Sequence, residues 1–96
     1  MAYQLVYHPD VVGKDLPAIN ANLADRIVQA IANRLATHPT YCGEALRHQY
    51  KGYWKLRVGD YRVIYKIVKQ AVLVYRIGHR RNVYLLSLSR LRWDPS

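Results

Sequence analysis

A change in hydrophobic period after Gly52 constrains the fold of this chain more than any other feature of its sequence. From there to Ile77, apolar and polar residues alternate with a period of two, the pattern of strands that bury one face. Gly59-Asp60 has the composition of a tight turn, and Lys69-Gln70 separates the second strand from the third. The pattern predicts a three-strand meander, with strands over residues 53–58, 61–68 and 71–77.

Alternation also predicts which side chains of this meander share a face. Lys55 and Arg57 are expected on one face, opposite to the apolar residues between and beside them. Arg62 and Arg76, on the neighbouring strands, can reach the same surface. The sequence therefore predicts a basic sheet face.

The N-terminal half has a different pattern, which predicts one strand followed by two helices. Residues 3–7 alternate as a short strand, and Pro9 suits the first turn of a short helix over residues 10–16. Asn20 can cap a longer helix over residues 21–37, in which apolar residues recur every four positions and form one stripe. Residues 40–51 and 78–84 are predicted to be loops, and residues 85–91 a short terminal helix.

Together these elements predict one domain over residues 1–96, with a small core supplied by the 51% of residues that are apolar. The fold class is α+β, with a small, twisted, mostly antiparallel sheet made of the N-terminal strand and the C-terminal three-strand meander. The two N-terminal helices are expected to pack on one face, and a short C-terminal helix follows. The other face of the sheet is expected to be open to solvent.

Positive charge is concentrated in the second half of the chain. The formal net charge is +9, and residues 45–93 contain twelve lysines and arginines but only one acidic residue, Asp60. Such polarity is a small cost to a folded domain, so it indicates a polyanionic partner. Interleaved tyrosines and tryptophans make nucleic acid the first candidate and an acidic protein the second.

Several classes of protein are disfavoured by the sequence. No run of about 18 apolar residues exists, so a transmembrane helix is not expected, and the N-terminus lacks the features of a signal peptide. The single cysteine, Cys42, cannot form an internal disulfide, which favours the cytoplasm. Glycine-rich phosphate loops, metal-binding motifs and nucleophile elbows are absent from the sequence, so neither a cofactor nor a metal is predicted.

A cluster of lysines, arginines and tyrosines can nevertheless cleave RNA. The 2′-hydroxyl is an internal nucleophile beside its own phosphate, so proximity is built into the substrate. Guanidinium groups match phosphate oxygens and neutralise developing charge, and crowded cations make a lysine a better base. DNA lacks the 2′-hydroxyl and is inert to this route.

Two segments of the chain resemble a known family. Residues 55–65 have the pattern K-L-R-x-G-x-Y-R-x-x-Y, and residues 78–84 have the pattern G-H-R-x-x-V-Y. With the N-terminal strand and the His8-Pro9 helix entry, they resemble the RelE/ParE superfamily of bacterial and archaeal toxins, in its RelE-like branch. The resemblance implies a type II toxin that enters the ribosomal A site and cuts mRNA without metal. It also implies a cognate antitoxin that wraps and inhibits the toxin.

The resemblance implies roles for individual residues as well. Lys55 and Arg62 match the catalytic lysine and arginine of the family. Arg80 matches a second phosphate-stabilising arginine, and Tyr84 matches the tyrosine that stacks on the substrate base. Two plainer interpretations stand beside these: Arg62 pairs with Asp60 or with a carboxylate on a helix, or Tyr84 only anchors the terminal helix.

The identity of the general base stays open. Members of the family that cut mRNA carry another lysine two positions before Lys55, where this chain has Tyr53. Lys55 is the preferred base, and His79 is the alternative base or acid. Four further residues are predicted to contact RNA: Lys51, Tyr53, Arg57 and Arg81.

Two other functions are compatible with the sequence. The gyrase-inhibiting, ParE-like branch shares the fold but generally lacks this catalytic set. A catalytically inactive homologue would only bind its antitoxin. In every case an acidic antitoxin protein is the expected partner, since an acidic segment suits a basic sheet face. A nuclease would also bind the ribosome and mRNA, and neither a membrane nor a small-molecule cofactor is expected.

Overall fold

The computed structural model describes residues 2–85 and 88–95, and within these ranges five strands form one sheet. The strands are Gln4–Tyr7 (β1), Glu44–Ala45 (β2), Trp54–Val58 (β3), Tyr61–Val68 (β4) and Ala71–His79 (β5). Their order is β1-β5-β4-β3-β2, with β1 parallel to β5 and every other pair antiparallel. The α+β class, the meander and the paired N-terminal strand are therefore confirmed.

The longest helix, α1, covers Ala21–Ala30 and begins where the sequence predicts. The Asn20 side chain accepts a hydrogen bond from the Asn22 N–H at 3.0 Å and so caps its first turn. The helix continues as a wider, π-helical turn over Ile31–Leu35, so the single helix predicted over residues 21–37 has two parts.

Shorter helical turns flank α1. The helix predicted over residues 10–16 is a π-helical turn at Val11–Asp15, followed by a 3₁₀ turn at Leu16–Ala18. α2 covers Pro39–Cys42 and α3 covers Leu88–Leu91. Among the helices that the structure describes, none is both long enough and apolar enough to cross a bilayer.

The core lies between these helices and one face of the sheet, here named the helix face. Ile27, Ile31 and Leu35 of the predicted stripe are fully buried. They pack with inward side chains of the sheet and of the first turn, namely Val11, Leu56, Val58, Val63, Tyr65, Val72, Val74 and Ile77. The apolar stripe is thus a core feature rather than a docking face.

Part of the opposite face, named the second face, is covered by the end of the chain. This corrects the expectation that the face is open to solvent. The Tyr53 hydroxyl donates to the Leu91 carbonyl at 2.9 Å. The Tyr75 hydroxyl donates to the Trp93 carbonyl at 2.8 Å, and the two rings lie 5.3 Å apart. β5 carries apolar residues on both faces, such as Leu73 and Tyr75 on the second face. Both faces of this strand must therefore be shielded from solvent.

A buried ion pair joins α3 to the start of the chain. Arg90 Nη1 lies 2.7 Å from Asp15 Oδ2, and the two side chains are only 8% and 7% exposed. The same carboxylate oxygen accepts the Ile77 N–H at 3.0 Å, and Arg90 Nη1 donates to the Tyr75 carbonyl at 3.4 Å. Asp15 and Arg90 therefore supply hydrogen bonds to β5 beyond the end of β1.

Three segments differ from the loops and helix that the sequence predicts. Residues 40–51 contain β2 and a 3₁₀ turn at His48–Tyr50 rather than a plain loop. β5 runs two residues beyond its predicted end at Ile77, because Arg62 pairs with Gly78 and the next pair extends the ladder. Of the terminal helix predicted over residues 85–91, Leu88–Leu91 is helical (α3), Leu85 is not, and Leu86 and Ser87 lie outside the described residues.

Candidate functional site

The register of the meander brings four basic residues to the second face of the sheet. Arg57 on β3 is paired with Arg62 on β4, and Lys55 and Arg76 flank Ile64 one step further along. Residues paired directly across strands project from the same face. The basic face predicted from the alternation is therefore present in the structure.

Arg62 is held against the β3–β4 turn. Its Nη1 donates to the carbonyl of Gly59 and to that of Tyr61, both at 2.9 Å. The guanidinium is therefore fixed by backbone oxygens of the turn. These two bonds involve one nitrogen, so the other edge of the planar fork can meet an incoming anion.

Arg80, which directly follows β5, contacts the same β3–β4 turn through Asp60. Its backbone N–H donates to the Asp60 carbonyl at 2.8 Å, and its Nε lies 3.7 Å from Asp60 Oδ1. The side chains of this ion pair are 53% and 71% exposed, so the pair contributes no more than about 1 kcal/mol. A phosphate can therefore compete with Asp60 for the guanidinium at little cost.

Lys55 lies one diagonal step from Arg62. Lys55 is paired with Ile64, the residue two positions after Arg62, so both side chains project from the second face. Diagonal neighbours of this kind are about 7–8 Å apart, within reach of two long side chains. Lys55 and Arg62 thus present an amine and a guanidinium from neighbouring strands on one face of the sheet.

His79 lies on the opposite side of the sheet from these cations. It is paired with Tyr61, and the two rings meet edge to face at 5.6 Å on the helix face. Its Nδ1 accepts the Arg81 N–H at 3.2 Å, which orders the start of the following turn. The structure therefore does not bring the alternative base or acid together with Lys55 and Arg62.

Tyr84 lies in the turn over residues 80–85, next to Tyr50. The two ring centroids are 5.7 Å apart, and the Tyr50 hydroxyl donates to the Tyr84 carbonyl at 2.7 Å. Arg76 reaches the same turn, with Nη1 3.4 Å from the Leu85 carbonyl and Nη2 3.5 Å from the Asn82 carbonyl. Three carbonyls of this turn are thus bonded by side chains from other elements.

A family model matches most of this chain. The model is described as the ParE toxin of the type II toxin–antitoxin system parDE, and the match covers residues 5–84. The chain belongs to this family. It is a toxin of the RelE/ParE superfamily, and the resemblance seen in residues 55–65 and 78–84 is confirmed.

Relatives of this toxin include proteins named for RelE. Toxin RelG from Mycobacterium tuberculosis is 27% identical over 73 residues, which are 74% of this chain and 84% of RelG. A chain of the toxin–antitoxin complex RelBE2 from the same species superposes with a TM-score of 0.78 at 24% identity, covering 83% of this chain and 93% of that one. A mutant of Escherichia coli RelE in the free state gives 0.64 at 16%, covering 95% and 99%. These two structures share the fold of this toxin.

Tyr53 of the toxin holds the C-terminal segment. Its hydroxyl is bonded to the Leu91 carbonyl, its ring meets Tyr75 edge to face at 5.2 Å, and Lys66 Nζ lies 5.4 Å from the ring centroid. Burial raises the pKa of the Tyr53 hydroxyl above its ordinary value. Tyr53, at the position of the family's additional lysine, thus makes contacts within the fold itself.

The other predicted RNA contacts lie at the surface. Lys51, Arg57 and Arg81 are exposed. Arg57 is on the second face beside Arg62, whereas Arg81 directly follows Arg80 in the turn. Within residues 2–85 and 88–95, no three histidine, cysteine or acidic side chains are grouped so that they could hold a metal ion.

Sequence reasoning missed two residues that support the turn. Tyr50 falls in the segment predicted as a loop, where no periodicity marks it. Arg76 is predicted to reach the basic face, but its contacts with the turn depend on how the chain folds back after β5. The alternation of Arg76, Ile77, Gly78 and His79 does carry a signal, because it places His79 on the Ile77 face once β5 is extended.

Proposed function

We propose that this toxin is a ribosome-dependent endoribonuclease that cleaves mRNA by metal-independent attack of the RNA 2′-hydroxyl. The observation that carries the proposal is the attachment of Arg62 and Arg80 to one turn, with Lys55 a diagonal step away on the same face as Arg62. A cluster of amine and guanidinium groups suits a reaction whose main demand is stabilisation of charge on phosphate.

Each of these side chains has one task in the proposed reaction. Lys55 takes the proton of the 2′-hydroxyl, and the resulting oxygen forms a bond to the adjacent phosphorus. Arg62 and Arg80 stabilise the charge that develops on the non-bridging oxygens. The bond to the 5′-oxygen then breaks, the 5′-oxygen takes up a proton from water, and the other product ends in a 2′,3′-cyclic phosphate; Lys55 returns its proton to water. Tyr84 stacks on the neighbouring base.

Inducible expression followed by mapping of transcript 5′ ends tests the proposal. Wild-type toxin is expected to produce new ends within translated mRNA. Arg62→Ala and Arg80→Ala each remove one charge-stabilising group and should reduce the cleavage rate about 10²–10³-fold. Arg26→Ala, at an exposed position of α1, is the matched control and should cleave as wild type does. Wild-type cleavage by both Arg62→Ala and Arg80→Ala would contradict the proposal.

The nucleophile can be tested separately on a defined mRNA. A single 2′-deoxy substitution at the cleaved nucleotide removes the proposed nucleophile and leaves every phosphate contact in place. Cleavage of that bond should stop while binding to the programmed ribosome persists. Undiminished cleavage at the substituted position would rule out 2′-hydroxyl attack.

The proposed partners follow from the charge of the second face and from the relatives. A cognate acidic antitoxin is favoured because the solved relatives include a toxin–antitoxin complex and because residues 45–93 contain a single acidic residue, Asp60. Ribosome and mRNA are the partners of the catalytic step, which places the toxin in the cytoplasm.

Inhibition of gyrase is the second candidate function, because the family model that matches the chain is that of ParE toxins. Gyrase inhibition predicts intact transcripts and a DNA-damage response after induction, whereas RNA cleavage predicts cut transcripts and no such response. The same induced culture therefore distinguishes the two functions.

A further inference from the structure

The turn over residues 80–85 carries two of the groups in the proposed site, Arg80 and Tyr84. The first half of the turn is stabilised by the end of β5, since the N–H groups of Asn82 and Val83 donate to the His79 carbonyl at 3.0 and 2.9 Å. The second half lacks such support from the strand. Within the turn, the Leu85 N–H donates to the Asn82 carbonyl at 3.0 Å, and the carbonyls of Asn82, Tyr84 and Leu85 also face side chains that come from elsewhere in the chain.

Arg76 supplies the first of these supports. It projects from β5 on the second face, and its two terminal nitrogens lie 3.4 and 3.5 Å from the carbonyls of Leu85 and Asn82. Its Nε is buried and has no hydrogen-bond partner among the described residues. A guanidinium whose Nε is buried without a partner and whose other two bonds are long is a poor source of stability, because the desolvation cost of that nitrogen is not offset. Its forked shape does, however, span two carbonyls at once.

The glycine two residues after Arg76 makes room for this arrangement. A Cβ on Gly78 would lie 3.4 Å from Arg76 Nε and 3.4 Å from the Val83 Cα. A methyl group at position 78 would just reach van der Waals contact with both, so the guanidinium lies close to the strand and to the turn.

Tyr50 supplies the second support. It comes from the 3₁₀ turn at His48–Tyr50, ahead of β3, and its hydroxyl donates to the Tyr84 carbonyl at 2.7 Å. Its ring lies beside the Tyr84 ring, with centroids 5.7 Å apart and planes tilted by 43°. The contact fixes both the backbone and the ring of Tyr84.

We infer that Arg76 and Tyr50 are positioning residues, which hold the 80–85 turn so that Arg80 and Tyr84 face the Arg62 side of the sheet. Neither residue is required to touch RNA in this role. The effect on catalysis rests on the proposed function, whereas the effect on the turn itself does not. The two parts can therefore be tested independently.

Two conservative variants isolate the positioning role from charge and size. Tyr50→Phe removes one hydroxyl, and its matched control is Tyr41→Phe, since Tyr41 is 87% exposed. Arg76→Lys keeps the positive charge of the basic face and loses the fork, and its matched control is Arg26→Lys on α1. Thermal unfolding of each variant establishes that it folds. If Arg76→Lys does not fold, Tyr50→Phe carries the test alone.

Limited trypsin digestion of the folded toxin measures the turn directly, because Arg80 and Arg81 are both cleavage sites. Loss of a hydrogen bond that restrains the turn should speed cleavage after these residues by about five- to tenfold in either variant. The controls should be cut at the wild-type rate. Equal cleavage rates in Tyr50→Phe, Arg76→Lys and wild type would overturn the inference, whatever the activity.

Single-turnover cleavage of mRNA on programmed ribosomes measures the consequence. Both variants should lower the rate of the chemical step about tenfold with little change in ribosome affinity, because no charge is lost. In an Arg80→Ala, Tyr84→Ala background, which removes both groups that the turn presents, Tyr50→Phe should have no further effect on this rate. A full additional effect would overturn the role assigned to Tyr50. Faster trypsin cleavage in a toxin whose wild type leaves mRNA intact would support the positioning role and refute the proposed function.

Discussion

The ion pair between Arg90 and Asp15 is predicted to hold the C-terminal segment on the sheet. Replacing Arg90 by leucine keeps an apolar stem but removes the guanidinium, so the Asp15 carboxylate, which is 7% exposed, loses its 2.7 Å partner. Of the hydrogen-bond donors to Asp15 described above, only the uncharged Ile77 N–H would then remain. Leaving a buried charge in this state costs about 3–5 kcal/mol.

The neighbouring contact of Arg90 adds little to this figure. Arg90 Nη2 lies 3.6 Å from Asp10 Oδ2, but the Asp10 side chain is 40% exposed, so screening limits the pair to about 1 kcal/mol or less. A domain of this size has a free energy of unfolding of about 5–15 kcal/mol. The Asp15 contact is therefore expected to account for a large share of the total.

Urea denaturation of Arg90→Leu, with Arg92→Leu as the exposed control, measures the loss. A double-mutant cycle with Asp15→Asn then isolates the coupling, because the asparagine carries no charge that needs a partner. In a Trp54→Phe background, Trp93 fluorescence separates local detachment of the segment from unfolding of the whole domain. If Arg90→Leu lowers the free energy of unfolding no more than Arg92→Leu does, the assignment of a buried, stabilising pair is refuted.

Two further predictions concern buried tyrosines. Gly43→Ala should lower the free energy of unfolding by about 1–3 kcal/mol, because its Cβ would overlap the hydroxyl of Tyr65, whereas Gly13→Ala has open space and should be neutral in the same urea titration. Burial raises the pKa of Tyr75 to about 12, so the unfolded chain ionises first and stability should fall as pH rises from about 10 to 12. Urea midpoints across this range should decline less steeply in Tyr75→Phe.

The meander could be predicted from the sequence because its signal is local and repeated. Three runs of alternating residues, each long enough to show the period, predict β3, β4 and most of β5. β2 could not be found this way, since Glu44 and Ala45 form a two-residue strand with both side chains exposed. The π-helical end of α1 was missed because its apolar stripe, spaced every four residues, fits an α-helix equally well.

The cover on the second face depends on contacts that no local pattern encodes. Tyr53 and Leu91 are far apart in sequence. Because every residue has a backbone carbonyl, the residue type at position 91 does not indicate that its carbonyl accepts a hydrogen bond from a tyrosine. The same holds at the candidate site. Alternation predicts that Lys55 and Arg62 share a face, but the attachment of Arg80 to the Asp60 carbonyl appears only in the folded chain.

The two ends of the second face serve different purposes, and their charges indicate which end meets a partner. At one end, aromatic rings and the Arg90–Asp15 pair fasten the chain's own C-terminal segment. At the other end, Arg57 and Arg62 stand directly opposite each other on β3 and β4. Like charges in this arrangement oppose folding, and the backbone carbonyls that hold Arg62 offset only part of that cost. Nothing in the packing of the sheet requires the pair, because an exposed threonine at position 57 would suit a strand better. The field that opposes folding also attracts phosphate or carboxylate groups to this end of the sheet, as the negatively charged partners proposed above require.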